Sequence, residues 1–148
     1  MELGADIIAF TDSDCILTTN WIEEIIAASN RDRNCSIISG NTLSSDQHWF
    51  GTYLNINSTL NGRVFKNSDR LLYGTTANLA ISSDVAKEVH FNTNFPSAAG
   101  EDIEFCFQAN QIGFAIKHNS KMIVYHHYGY SKNFFQSLAK FRRQFKKY

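Results

Sequence analysis

Two acidic clusters in this chain could do chemistry. The first, Asp12-Ser13-Asp14, follows the apolar run Ile7-Ile8-Ala9-Phe10-Thr11. Side chains two apart on an extended chain point the same way, so both carboxylates can converge on one cation. Hard divalent ions such as Mg2+ and Mn2+ prefer carboxylate oxygens. A plain Asp-rich turn after a strand is the competing reading. The second cluster, Gly100-Glu101-Asp102-Ile103-Glu104, opens a helical pattern. Negative charge suits a helix amino end, which by itself accounts for these acids. Beside a metal-bound electrophile, one of them can instead act as general base toward an incoming hydroxyl. His126-His127 closes a later apolar run and could complete a metal site. Neighbouring strand residues point oppositely, so His126 and His127 are competing choices.

Strands and helices must bring these groups together. A short β-branched and aromatic run before Asp12 reads as a buried strand. Carboxylates at its carboxyl end would then sit at the rim of an α/β sheet, where ligands bind. Thr19 or Asn20 can cap a helix starting near Trp21, with Trp21, Ile22, Ile25 and Ile26 as its apolar face. Ser36–Ser39 reads as a strand closed by Gly40. Residues between Ser44 and Phe65 carry a partial helical period, Thr75–Ile81 reads as a strand, and Asp84–Val89 as a short helix. His90–Gly100 is a loop containing Pro96. Glu101–Gln111 is helical, with Ile103, Cys106 and Phe107 as its inner face and Gly113 as its stop. Phe114–Lys117 and Met122–Tyr125 read as two strands joined by a turn at Asn119-Ser120. Asn133–Lys147 is a helix striped by Phe134, Leu138, Phe141 and Phe145. Interleaved strands and helices argue for an α/β fold with a largely parallel or mixed sheet.

Composition bounds the function. The chain has 148 residues, 43% hydrophobic and 19% charged, with one proline. That fits one globular domain or a piece of one, and excludes disorder. The net charge is zero but unevenly spread: every acidic residue lies at or before Glu104, and eight of the 14 basic ones at or after Lys117. Zero net charge without a recognition motif argues against nucleic-acid binding. Cys15, Cys35 and Cys106 show no C-x-x-C spacing, which suggests a reduced, cytoplasmic setting rather than a disulfide framework. No apolar run reaches membrane-span length. Residues 133–148, with Lys140, Arg142, Arg143, Lys146 and Lys147 around an apolar stripe, form a basic amphipathic helix that can lie on the inner face of an anionic membrane. The competing reading packs the stripe on the core and leaves the charges solvated.

Four ordered segments resemble the family 2 glycosyltransferases, which have the GT-A fold. Asp12-Ser13-Asp14-Cys15 looks like the family's D-x-D strand end, and Trp21-Ile22 like the start of its next helix. Gly74-Thr75-Thr76-Ala77-Asn78-Leu79-Ala80-Ile81 looks like its G-x-x-A-N-x-A-I strand. Gly100-Glu101-Asp102-Ile103-Glu104-Phe105-Cys106 looks like its G-E-D-x-E-F-C helix start. Val124-Tyr125-His126-His127 and Phe141-Arg142-Arg143-Gln144-Phe145 resemble its late V-x-H strand and aromatic-basic helix.

The resemblance implies a partial GT-A-like, Rossmann-like mixed sheet flanked by helices. It implies transfer, with inversion, from a nucleotide-diphospho sugar to the hydroxyl of a glycan or lipid-linked acceptor. Asp14, helped by Asp12 and with His126 approaching, would hold Mn2+ or Mg2+ against the donor diphosphate. Asp102 would be the general base. Asp12, Ser13, Asn78, Gly100 and Glu101 would lie on the substrate side. The family's early strand–helix–strand unit for the nucleotide has no counterpart before the D-x-D strand. Residues 1–148 are therefore expected to form one partial domain with an exposed sheet edge, a surface for oligomerisation. A non-catalytic remnant serving as a structural or interaction module is the alternative function. Haloacid-dehalogenase-like phosphatases also place D-x-D after a first strand, with the first Asp as nucleophile. Asp14-Cys15-Ile16 departs from their pattern.

Overall fold

The apolar runs become strands of one five-stranded mixed sheet in a computed structural model that describes residues 4–32, 35–64, 71–95, 100–129 and 133–145. The strands are β1 (Ile7–Thr11), β2 (Cys15–Leu17), β3 (Cys35–Ser44), β6 (Asn78–Ser82) and β7 (Ala115–His126). Their order is β1-β6-β3-β7-β2. A separate pair joins β4 (Arg63–Val64) to β5 (Leu71–Tyr73). The helices are α1 (Trp21–Arg31), α2 (Trp49–Ile56), α3 (Ser83–Glu88), α4 (Glu101–Gln111) and α5 (Phe134–Phe145).

Strand direction fixes where the chemistry can sit. β3 and β7 are parallel, while β6 runs antiparallel to both β1 and β3. β1, β3 and β7 therefore end along one rim, and β6 begins there. Alternation along the strands feeds two cores. Ile37, Leu79, Ile81 and Ile116 pack with Val85 of α3 and with Phe105, Cys106 and Ala109 of α4. Ile38, Ala80, Met122 and Val124 pack on the other face with Trp21 and Ile25 of α1. The α/β class holds, with helices on both faces of the sheet.

Several local expectations need correction. β3 does not stop at Gly40 but runs on to Ser44. Gly40 instead marks a close approach: a Cβ there would meet the Met122 carbonyl oxygen at 2.1 Å and Asn78 Nδ2 at 2.4 Å. The two late strands with a turn at Asn119-Ser120 are one strand, β7. Its pairing with β3 jumps from Gly40↔Asn119 to Asn41↔Ile123, so Ser120–Met122 form a bulge rather than a reversal. The helix expected between Ser44 and Phe65 is only α2. The Thr75–Ile81 strand begins at Asn78, whose N–H donates to the Thr75 carbonyl at 3.0 Å and closes a turn before it.

The helix faces also rotate. On α1, Ile22 and Ile26 are exposed while Trp21 and Ile25 are buried. On α4, Ile103 and Phe107 face solvent, whereas Phe105, Cys106 and Ala109 are buried. Together with Asp102 these three occupy i, i+3, i+4 and i+7, so the inward stripe of α4 ends on Asp102. Pro96, Lys146 and Lys147 lie outside the described residues, and so do the side chains of Lys140, Phe141, Arg143 and Phe145. No helix among the described residues is long and apolar enough to cross a membrane.

Candidate metal and acid–base site

The polar turn after β1 is held by its ends. Cys15 N–H donates to the Asp12 carbonyl at 3.1 Å, and His127 N–H donates to the Asp14 carbonyl at 2.9 Å. β2 then pairs with β7 so that Cys15 lies opposite His126. This register brings the His126 ring to the turn. His126 Nε2 lies 3.5 Å from Asp12 Oδ2 and 3.3 Å from Asp14 Oδ1. The His126 side chain is 12% exposed, and Tyr128 packs on its ring at 4.4 Å. Nδ1 is buried with no hydrogen-bond partner among the described residues, so the outlet of the ring is Nε2.

Asp12, Asp14, Cys15 and His126 each offer a ligand atom, and these atoms lie within 4.8 Å of one another. Two carboxylate oxygens and an imidazole nitrogen fit a divalent cation by donor type. Cys15 adds a softer donor, but burial pushes its thiol above the ordinary range.

His126 and His127 separate as strand neighbours must. His127 Nδ1 lies 3.2 Å from Asp46 Oδ1, on the other side of the strand. Asp46 Oδ2 in turn lies 3.9 Å from His48 Nε2. Asp46, Cys15 and Tyr128 were not among the expected site residues. Cys15 adjoins the triplet and could have been found by spacing. Asp46 gave no signal, because its partner is far away in sequence and comes near only through the pairing of β3 with β7.

Asp102 comes from α4 to the groove that Asp12 also lines. Gly100 caps α4 with φ +83°, a left-handed conformation that favours glycine. Asp102 then sits in the first turn, where its Oδ1 accepts from Ile103 N–H at 2.8 Å. Burial holds its carboxyl above the usual carboxylate range. Bonds from the Ile103 and Thr76 backbones pull the other way, and Glu101 adds to the rise. Asp12, Thr75–Ala77 and Gly100–Ile103 line one open groove of about 390 Å³ together with Thr59, Leu60 and Tyr73. The groove thus brings Asp12, Gly100, Glu101 and Asp102 together. Ser13 lies exposed at the tip of the neighbouring turn.

Asn78 requires a correction. It is 1% exposed, and its side chain makes three bonds in the interior. Its Nδ2 donates to the carbonyls of Asn41 and Met122, both at 2.9 Å, and its Oδ1 accepts from Trp21 Nε1 at 2.9 Å. It stitches β6 to β3, β7 and α1, and so holds the rim without facing a substrate.

In comparisons with known proteins, no family model matches the chain, and no curated sequence does.

Proposed function

We propose that the chain carries the metal-binding and acceptor-activating part of an inverting glycosyltransferase. One observation carries this reading: Asp12 and Asp102, far apart in the sequence, line the same groove, and His126 lies beside both Asp12 and Asp14. A groove lined by Asp12, whose neighbours could hold a cation, and by Asp102, a carboxyl of raised affinity for protons, suits transfer between an anionic donor and a hydroxyl acceptor.

Asp12, Asp14 and His126 would hold the ion. A mixed oxygen and nitrogen donor set favours Mn2+ over Mg2+, which prefers oxygen alone. Such an ion supplies charge neutralisation for a departing nucleoside diphosphate. Asp102 accepts the proton of the acceptor hydroxyl. The acceptor oxygen then bonds to the anomeric carbon as the bond from that carbon to the phosphate oxygen breaks. Attack opposite the leaving group inverts the sugar centre. The raised proton affinity of Asp102 brings it closer to that of a working base at neutral pH.

Calorimetry with a nucleoside diphosphate, with and without Mn2+, tests the reading. Metal-dependent binding that disappears in Asp14→Ala supports it. No binding of any nucleoside diphosphate in the presence of Mn2+ would leave the chain a non-catalytic structural module.

A further inference from the structure

We infer that the joined face of α2 and α5 docks on an anionic lipid bilayer surface. This does not rest on the transfer reading. Trp49, Tyr53 and Ile56 of α2 are exposed, as are Phe134 and Phe135 of α5. Trp49 is 43%, Phe134 52% and Phe135 78% exposed. The rings form one patch: Trp49 meets Phe134 at 5.2 Å, and Phe134 meets Phe135 at 5.6 Å. A cluster of this kind, drawn from two helices, is more than the scattered apolar residues found on ordinary surfaces.

Charge chooses the occupant. After Glu104 the chain carries no Asp or Glu, and α5 itself holds Lys140, Arg142 and Arg143. α2 carries no charged residue. Phe135 and Arg142 are seven residues apart, so they share a face of α5, and Arg142 is exposed. Exposed apolar rings and basic residues on the same helix are the two signals that stable interfacial binding requires. A second copy of the chain would instead bring like charges together across the same face. The patch borders the rim, because Tyr128 packs both on Phe50 and Leu54 of α2 and on the His126 ring.

The chain supplies its own probe. It has two tryptophans: Trp21 is buried and bonded to Asn78, while Trp49 lies in the patch. Vesicles of phosphatidylglycerol mixed with phosphatidylcholine should shift the emission to the blue and protect Trp49 from an aqueous quencher. Pure phosphatidylcholine vesicles should do neither, and high salt should reverse the effect. In co-sedimentation, the double variant Phe134→Ser with Phe135→Ser should lose at least about tenfold in association, as removal of two inserted rings implies. Ile22→Ser with Ile26→Ser, on the exposed side of α1, should bind like the native chain. The inference is overturned if anionic vesicles leave the emission unchanged, or if neutral vesicles act equally. It is also overturned if the two double variants lose binding alike, or if sedimentation velocity shows a dimer that the Phe134 and Phe135 changes abolish.

Discussion

At the scale of single residues, Asp102 is asked to do two opposed things. It caps the inward stripe of α4, yet it is a carboxyl that burial disfavours in its charged form. A carboxyl whose proton affinity is raised by folding favours the folded state at pH below the unfolded carboxylate range. That contribution is lost as pH rises through the folded value, so at neutral pH the ionised group works against the fold. Asp102→Asn keeps an oxygen for Ile103 N–H and removes the charge. Calorimetric melting should therefore give a higher Tm for the variant at neutral pH, with the gap closing in acid. Under the transfer reading the same variant should lose roughly 10²–10⁴-fold in kcat while donor affinity is kept. Asp14→Ala should do the reverse, removing metal-dependent donor binding. Mn2+ at about a hundred times its Kd should stabilise the native chain by about 2.7 kcal/mol, and Asp14→Ala should show no such rise in Tm. The acids and His126 were legible in the sequence because each follows an apolar run or opens a helix. The role of Asn78 was not, because a polar residue before an apolar strand looks the same whether it faces a ligand or ties strands together.

At the scale of elements, the register of β7 matters most. The pairing slip between Gly40 and Asn41 leaves carbonyls of β3 and β7 that Asn78 then satisfies. Asn78→Ala would leave two carbonyls and the Trp21 indole N–H without that partner. Such losses cost about 1–3 kcal/mol each when buried, so denaturant melts should show a fall of at least about 2 kcal/mol in unfolding free energy. β1 is an edge strand, paired only with β6 among the described strands, and Ile8 on it is exposed. Such edges template association. Light scattering should show less concentration-dependent self-association for Ile8→Lys than for the native chain. The bulge could not be read from the sequence, since Asn119-Ser120 carries the turn chemistry of a reversal. The faces of α1 and α4 misled for a different reason. Both helices carry more apolar positions than the sheet can cover, so periodicity alone could not say which of them turn inward.

At the scale of the whole molecule, no strand of the five-stranded sheet pairs with its neighbour in sequence. Interleaved apolar runs announced an α/β architecture, but strand order depends on pairings between distant segments, and residue types do not record these. The consequence lies in time. Cys15 meets His126 across more than a hundred residues, while β1 must wait for β6 and β3 for both β6 and β7. Closing such long loops is slow, and during synthesis the first strands emerge long before their partners. The cluster of Asp12, Asp14 and His126 can exist only after β7 has docked. A cation held there would therefore bind only a chain in which β7 has already found its place in the sheet.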